Sequence, residues 1–217
     1  MSAADGLHEV ADRAPGSQVP TASRRLPWYA PGELDEPRRA VYEAIVGGPR
    51  AADAGAVPLV DAAGRLHGPF NAMLANPEVG RHLQGLGAAL RYATALGARE
   101  REIAVLCVAR ARRSGFEWAA HARLAHGAGL TSDQIAAILA GKNAPGFGAR
   151  DALVRELTER LLDEGDLDDA AYARGEAELG SVALVDLVVL VGYYELLARM
   201  LRVERVPLPP GFDSPFP

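Results

Sequence analysis

The chain has 217 residues, is 49% hydrophobic and carries a formal net charge of −5, with a pI of about 5.6. A chain of this length buries a real core without staples. The acidic balance without a basic stripe excludes nucleic acid as a partner.

Cys107 is the only cysteine, so neither an internal disulfide nor a CxxC redox pair can form. It sits in the apolar stretch Ile103 to Val108 and reads as a small buried residue. The opening MSAADGLHEVADRAPGSQVP has early acids and no apolar core, so it is not read as a signal peptide, and a cytoplasmic location is expected.

Residues 1–34 are rich in proline, glycine and serine, and predict an N-terminal arm with a disordered tip. Trp28 and Tyr29 in LPWYAPGEL predict that the arm docks, either on its own domain or on a neighbouring subunit. The domain proper is expected over 35–205, with an irregular tail at 206–217. A first helix is expected over about 36–45, with Pro37 at its start and Gly47-Gly48-Pro49 ending it. Residues 57–70 read as a small hairpin or irregular loop. A short helix is expected from Asn71, which reads as its N-cap, and another from Pro77 to about Tyr92. Strong helices follow at about 99–113 and 116–128, broken by Ser114-Gly115. Thr131 with Gln134 three residues on has the form of a capping box and opens a helix to Ala140. Helices at about 149–164, 168–180 and 181–203 complete the chain. The last is the most apolar run. Asp186, Glu195 and Arg199 within it argue for a buried helix rather than a membrane span. Glu195 is expected to pair with Arg199 at i+4.

The expected architecture is therefore all-α, with six to eight helices built around a helix hairpin at about 99–128. Glu117 and His121 are four residues apart and share one helix face. Glu102 lies on the preceding helix, and a fold-back at Ser114-Gly115 would turn it towards that pair. Two carboxylates beside one imidazole supply the parts for proton abstraction and return. Without further information, the commoner account of such a pair is a solvated surface contact.

The stretch REREIAVLCVARARRSGFEWAAHARLAHGAGLTSDQIAAILAG (99–141) resembles the core of the carboxymuconolactone decarboxylase-like family, within the AhpD-like superfamily. The matching pieces are Glu102, then Glu117-Trp118-x-x-His121, then Gly129-Leu130-Thr131 and the helix around Ile135. LHGPFNAML (66–74) and GYYELLARML (192–201) resemble segments of the longer members. In the peroxidase-linked branch a CxxC precedes the histidine. Here those positions are Ser114 and Glu117, which removes thiol chemistry and leaves the acid–base branch. Where many decarboxylase-like members carry histidine, this chain has Tyr193.

The resemblance implies a cofactor-free, metal-free enzyme that decarboxylates a small carboxylated or lactone substrate, working as a homo-oligomer. Glu102, Glu117 and His121 are then the expected catalytic residues. His121 would donate the proton, Glu117 would hold the imidazole and Glu102 would tune or relay. His67, Asn71, Trp118 and Tyr193 are the expected substrate-binding residues. His126, five residues after His121, points to another face, and a metal site built from the two is not expected. An isomerase, dehydratase or ring-opening hydrolase would use the same groups. A ligand-binding or assembly protein that keeps the fold is the non-catalytic alternative. No membrane partner is expected.

Overall fold

The computed structural model describes residues 24–52, 57–143, 145–208 and 211–216, so the first part of the expected 1–34 arm, with its disordered tip, lies outside the described residues. Among them the protein is all-α, with nine α-helices and one isolated bridge between Val60 and Leu66 in place of a hairpin. In chain order the helices are α1 Glu36–Val46, α2 Pro69–Ala75, α3 Pro77–Tyr92, α4 Ala98–Ala111, α5 Gly115–Gly127, α6 Ser132–Leu139, α7 Ala149–Asp163, α8 Asp169–Leu179 and α9 Ser181–Val203.

Helix α4 is the axis of the fold. Every residue from Glu102 to Ala109 is buried, because α5, α6, α7 and α9 all pack on it. Ile103, Leu106 and Cys107 are fully enclosed and join Leu157, Leu184, Leu187 and Leu190 in one core. Burial pushes the Cys107 thiol up to about 12, so it packs as an apolar group rather than a nucleophile. The α4–α5 reversal is made by Arg113, which adopts a left-handed φ of 51°. Ser114 N–H donates to the Ala109 carbonyl at 2.9 Å and closes the turn. The capping box at Thr131 forms as expected, with Gln134 N–H donating to Thr131 Oγ1 at 3.2 Å and Thr131 N–H to Gln134 Oε1 at 3.1 Å.

By length and composition, α9 is the one helix among the described residues that could cross a membrane. Its inner face is core: Leu184, Leu187, Leu190, Tyr193 and Leu197 are buried. The polar residues within it are partnered. Asp186 Oδ2 accepts from Ala95 N–H at 2.7 Å. Glu195 pairs chiefly with Arg112, whose Nε lies 2.6 Å from Oε1, and only distantly with Arg199 at 3.7 Å. The expected i,i+4 pairing therefore forms, and Arg112 adds a shorter one. The helix-interior carboxylate is better satisfied by the guanidinium at the end of α4, which fastens α9 to the hairpin.

The described part of the arm docks on its own chain. Trp28 Nε1 donates to the Leu66 carbonyl at 2.8 Å, and its ring lies between the guanidinia of Arg24 and Arg65, each 3.9 Å from the centroid. At the other terminus, Phe216 packs edge-on against Trp118 at 5.9 Å, and Ser214 lies against Gly115 at the start of α5.

Candidate active site

Glu102 on α4 and Glu117 and His121 on α5 converge in the buried seam of the hairpin. His121 Nδ1 lies 2.7 Å from Glu102 Oε2, and His121 Nε2 lies 3.5 Å from Glu117 Oε2. All three side chains are buried. A carboxylate only accepts, so Nδ1 carries a hydrogen and donates it to Glu102. That bond fixes the tautomer and turns Nε2 towards Glu117. The holding role expected of Glu117 therefore falls to Glu102. The reason is geometric: α4 presents Glu102 to the back of the ring, whereas Glu117, one turn before His121, reaches its front.

Glu117 is held at about 7, well above the usual carboxylate range. Burial is the main cause, the Glu102 charge adds to it and His121 opposes it. Glu117 Oε1 has no hydrogen-bond partner although it is buried. An unsatisfied buried carboxyl oxygen is costly, and the cost is met when a ligand or water binds.

Glu117 and His121 line a cavity of about 350 Å³. Phe70, Phe116, Tyr193, Tyr194 and Leu197 give it apolar and aromatic walls, and His67, Arg50 and Arg91 supply further polar groups. Tyr194 stands edge-on to His121 at 5.0 Å, and Tyr193 edge-on to Tyr194 at 5.6 Å. The Tyr193 hydroxyl donates to the Leu83 carbonyl at 3.1 Å. Burial pushes Tyr193 up to about 12 and also raises Tyr194 well above the ordinary phenol range, so both remain neutral hydroxyls. The cavity wall needs Gly68, which has a φ of 62°. A side chain there would run into the Phe116 ring at about 2.5 Å.

Of the four expected substrate-binding residues, the structure places His67 and Tyr193 on the cavity wall and the other two away from it. Asn71 is neither an N-cap nor a lining residue. The helix begins at Pro69, and Asn71 holds the arm instead, donating to the Pro27 carbonyl at 2.9 Å and accepting from Tyr29 N–H at 3.1 Å. Trp118 follows Glu117 and so is turned about 100° around α5, away from the cavity, where the C-terminal Phe216 covers it. His126 is exposed near the end of α5, with Nδ1 3.2 Å from the Leu130 carbonyl, and lies outside the cavity. Among the described residues no cluster of histidine, cysteine, aspartate and glutamate is suited to hold a metal ion. Arg50 was not legible in the sequence. It sits in a short turn, Pro49–Ala52, with no spacing that ties it to the hairpin.

Fold and site together define an all-helical protein of the AhpD-like kind, with a carboxylate–histidine–carboxylate group in a helix hairpin and no thiol beside it. Residues 77–160, from the start of α3 into α7, match the carboxymuconolactone decarboxylase family, and the chain carries a domain of that family over this stretch. Comparison with curated proteins gives no match. The matched stretch contains Glu102, Glu117 and His121. Arg50, His67 and Tyr193 reach the same cavity from outside it.

Proposed function

We propose that this protein is an acid–base lyase that decarboxylates a small carboxylated or lactone substrate. The observation that carries this reading is the line Glu102–His121–Glu117, which ends at the cavity wall on a raised carboxyl whose Oε1 has no hydrogen-bond partner. In such a reaction the C–CO2 bond breaks and its electron pair moves into a conjugated carbonyl, leaving an enolate. The enolate carbon then takes a proton. The Glu117–His121 contact sets a carboxyl oxygen and an imidazole nitrogen side by side at the cavity, so either can deliver a proton and regain it from water. The edge-on tyrosine and the apolar walls lower the polarity around the nascent carbanion.

The experiment is incubation with carboxylated lactones in D2O, reading carbon dioxide release and the product by NMR. The expected result is one deuterium at the enolate carbon, α to the carbonyl, and loss of turnover in His121→Asn. No turnover of any carboxylated lactone by the wild-type protein counts against the reading.

We propose further that the protein acts on its substrate as a cytoplasmic homo-oligomer. An exposed apolar row on α9, described below, supports self-association.

A further inference from the structure

We propose that Arg50 is the substrate-anion anchor of this cavity, holding a carboxylate that the reaction keeps rather than the one it loses. The inference rests on the reading of Glu117 and His121 as the proton-transfer end of the same site.

The guanidinium of Arg50 reaches the cavity from the turn Pro49–Ala52 and stacks over Phe70, 5.3 Å from its ring centroid. Its Nη1 donates a long hydrogen bond to the Gln84 carbonyl at 3.4 Å. Among the described residues it forms no ion pair, whereas Arg38, Arg65, Arg99, Arg110, Arg112, Arg150, Arg155, Arg160 and Arg174 each face a carboxylate. A guanidinium on a cavity wall with no carboxylate on its fork and only one long bond to a carbonyl is suited to bidentate carboxylate binding.

Its place relative to the acid–base group is fixed through Gly87 on α3. A Cβ at Gly87 would overlap the Tyr193 hydroxyl and lie 2.7 Å from Arg50 Nη2, so Arg50 and Tyr193 meet over this glycine. The order along the wall is then Arg50, Tyr193, Tyr194 and His121. Two aromatic rings separate the cation from the imidazole.

That separation suits the chemistry. Decarboxylation drains negative charge from the departing carboxylate. A guanidinium bound to that group would stabilise the ground state more than the transition state and slow the step. A cation set apart from the proton donor instead holds a second anionic group whose charge does not change. Such binding is equal in ground and transition states and appears in KM. The aromatic walls set the rest of the class: a small, flat, unsaturated carboxylate.

The test uses unreactive flat probes, benzoate and its neutral analogue benzamide, with affinities read by NMR titration on wild type, Arg50→Gln, Arg50→Lys and His121→Asn. Charge-assisted bonds to a buried anion predict benzoate binding weakened by roughly ten- to a hundredfold in Arg50→Gln. Arg50→Lys should recover part of it, because the charge returns without the fork. Benzamide should bind all four proteins alike, which also shows that the cavity is folded, and His121→Asn should keep benzoate affinity. Benzoate binding that is undetectable in the wild type at millimolar concentration, or unchanged in Arg50→Gln, overturns the anchor. So does a substrate whose turnover by Arg50→Gln falls in kcat with KM unchanged. Arg50-dependent benzoate binding in a protein that decarboxylates nothing would retain the anchor and defeat the functional reading. Turnover with Arg50-independent binding would do the reverse.

Discussion

His121 is held at both ring nitrogens by carboxyl groups from two different helices: Glu102 Oε2 at 2.7 Å on Nδ1 and Glu117 Oε2 at 3.5 Å on Nε2. The two contacts are unequal in length and in surroundings, and their roles differ. Glu102 orients the ring from behind, while Glu117 shares the cavity with the substrate. His121→Asn should therefore lower kcat by roughly 10²–10⁴-fold, the usual contribution of a general acid–base group. Glu102→Gln should also lower kcat, because an amide can present a donor to Nδ1 and favour the wrong tautomer. Steady-state kinetics with circular dichroism of each variant checks this. The effects should not add in the double variant, since the groups act as one unit.

Glu117 gives a pH signature. Its folded value of about 7 lies above the unfolded 4.5, so the folded protein binds the proton more tightly. Stability contributed by that proton is fully present below 4.5 and is lost as pH rises to about 7. Glu117→Gln removes the burden of a buried charge. It should gain on the wild type over that window by on the order of 1–3 kcal/mol and hold a constant lead above it. Denaturant melts at pH 5, 6, 7 and 8 measure the difference. A lead that shrinks with rising pH would contradict the raised carboxyl. Activity should show the opposite preference, falling in Glu117→Gln at every pH.

Trp118 separates a structural from a substrate-contacting role. It is buried against the C-terminal Phe216 and not on the cavity wall. Trp118→Ala should cost ~3 kcal/mol of stability, the lower range for deleting a buried tryptophan. Below the melting transition, its KM should match the wild type. A KM raised several-fold in folded protein would place Trp118 at the substrate after all.

Much of this arrangement was legible in the sequence, for physical reasons. The hairpin was readable because an apolar run at 103–109 and the apolar residues around Glu117/His121 are separated by a Ser-Gly break. The i,i+4 spacing places Glu117 and His121 on one face whatever the tertiary context. The division of labour was not readable. Which carboxylate faces which ring nitrogen depends on how α4 and α5 are rotated against each other, and no local rule fixes that. Trp118 and Asn71 lie off the cavity wall, because adjacency to a site residue says little about direction. On a helix, Trp118 is turned about 100° from Glu117, and Asn71 faces the arm. Arg50 was invisible because it reaches the cavity across a long sequence separation from an irregular turn.

Gly87 tests the tight approach over α3. Alanine is ordinarily the better helix residue by about 1 kcal/mol. Here its methyl would overlap the Tyr193 hydroxyl and crowd Arg50. Gly87→Ala should therefore lower the melting temperature instead of raising it, by displacing Tyr193 from the Leu83 carbonyl. A stabilised Gly87→Ala protein would mean that α3 and α9 stand further apart than described.

The last prediction concerns self-association. Val182, Val185, Val189, Gly192, Leu196 and Val203 form an exposed row on α9, interrupted by Arg199, with Val182 67% and Val185 59% exposed. Their spacing alternates three and four, the 3.5-residue repeat of a helix–helix seam. Gly192, in the middle of the row, has nothing within 4 Å of a would-be Cβ, which leaves room for a second helix to approach closely. The opposite face of α9 is already buried in the core, so this row is what the helix has left to cover. A second copy of the chain offers the same row and a self-complementary contact. Light scattering at micromolar concentration should report a multiple of 22.9 kDa for the wild type. Val185→Glu with Val189→Glu should shift the mass towards one chain, because like charges then face each other across the seam. Circular dichroism should be unchanged, since both side chains are exposed. A wild-type mass of a single chain defeats the proposed self-association. An unchanged oligomer in the double variant moves the interface to another face. Flotation of the wild-type protein with lipid vesicles, abolished by the same two substitutions, would instead assign the row to a membrane surface.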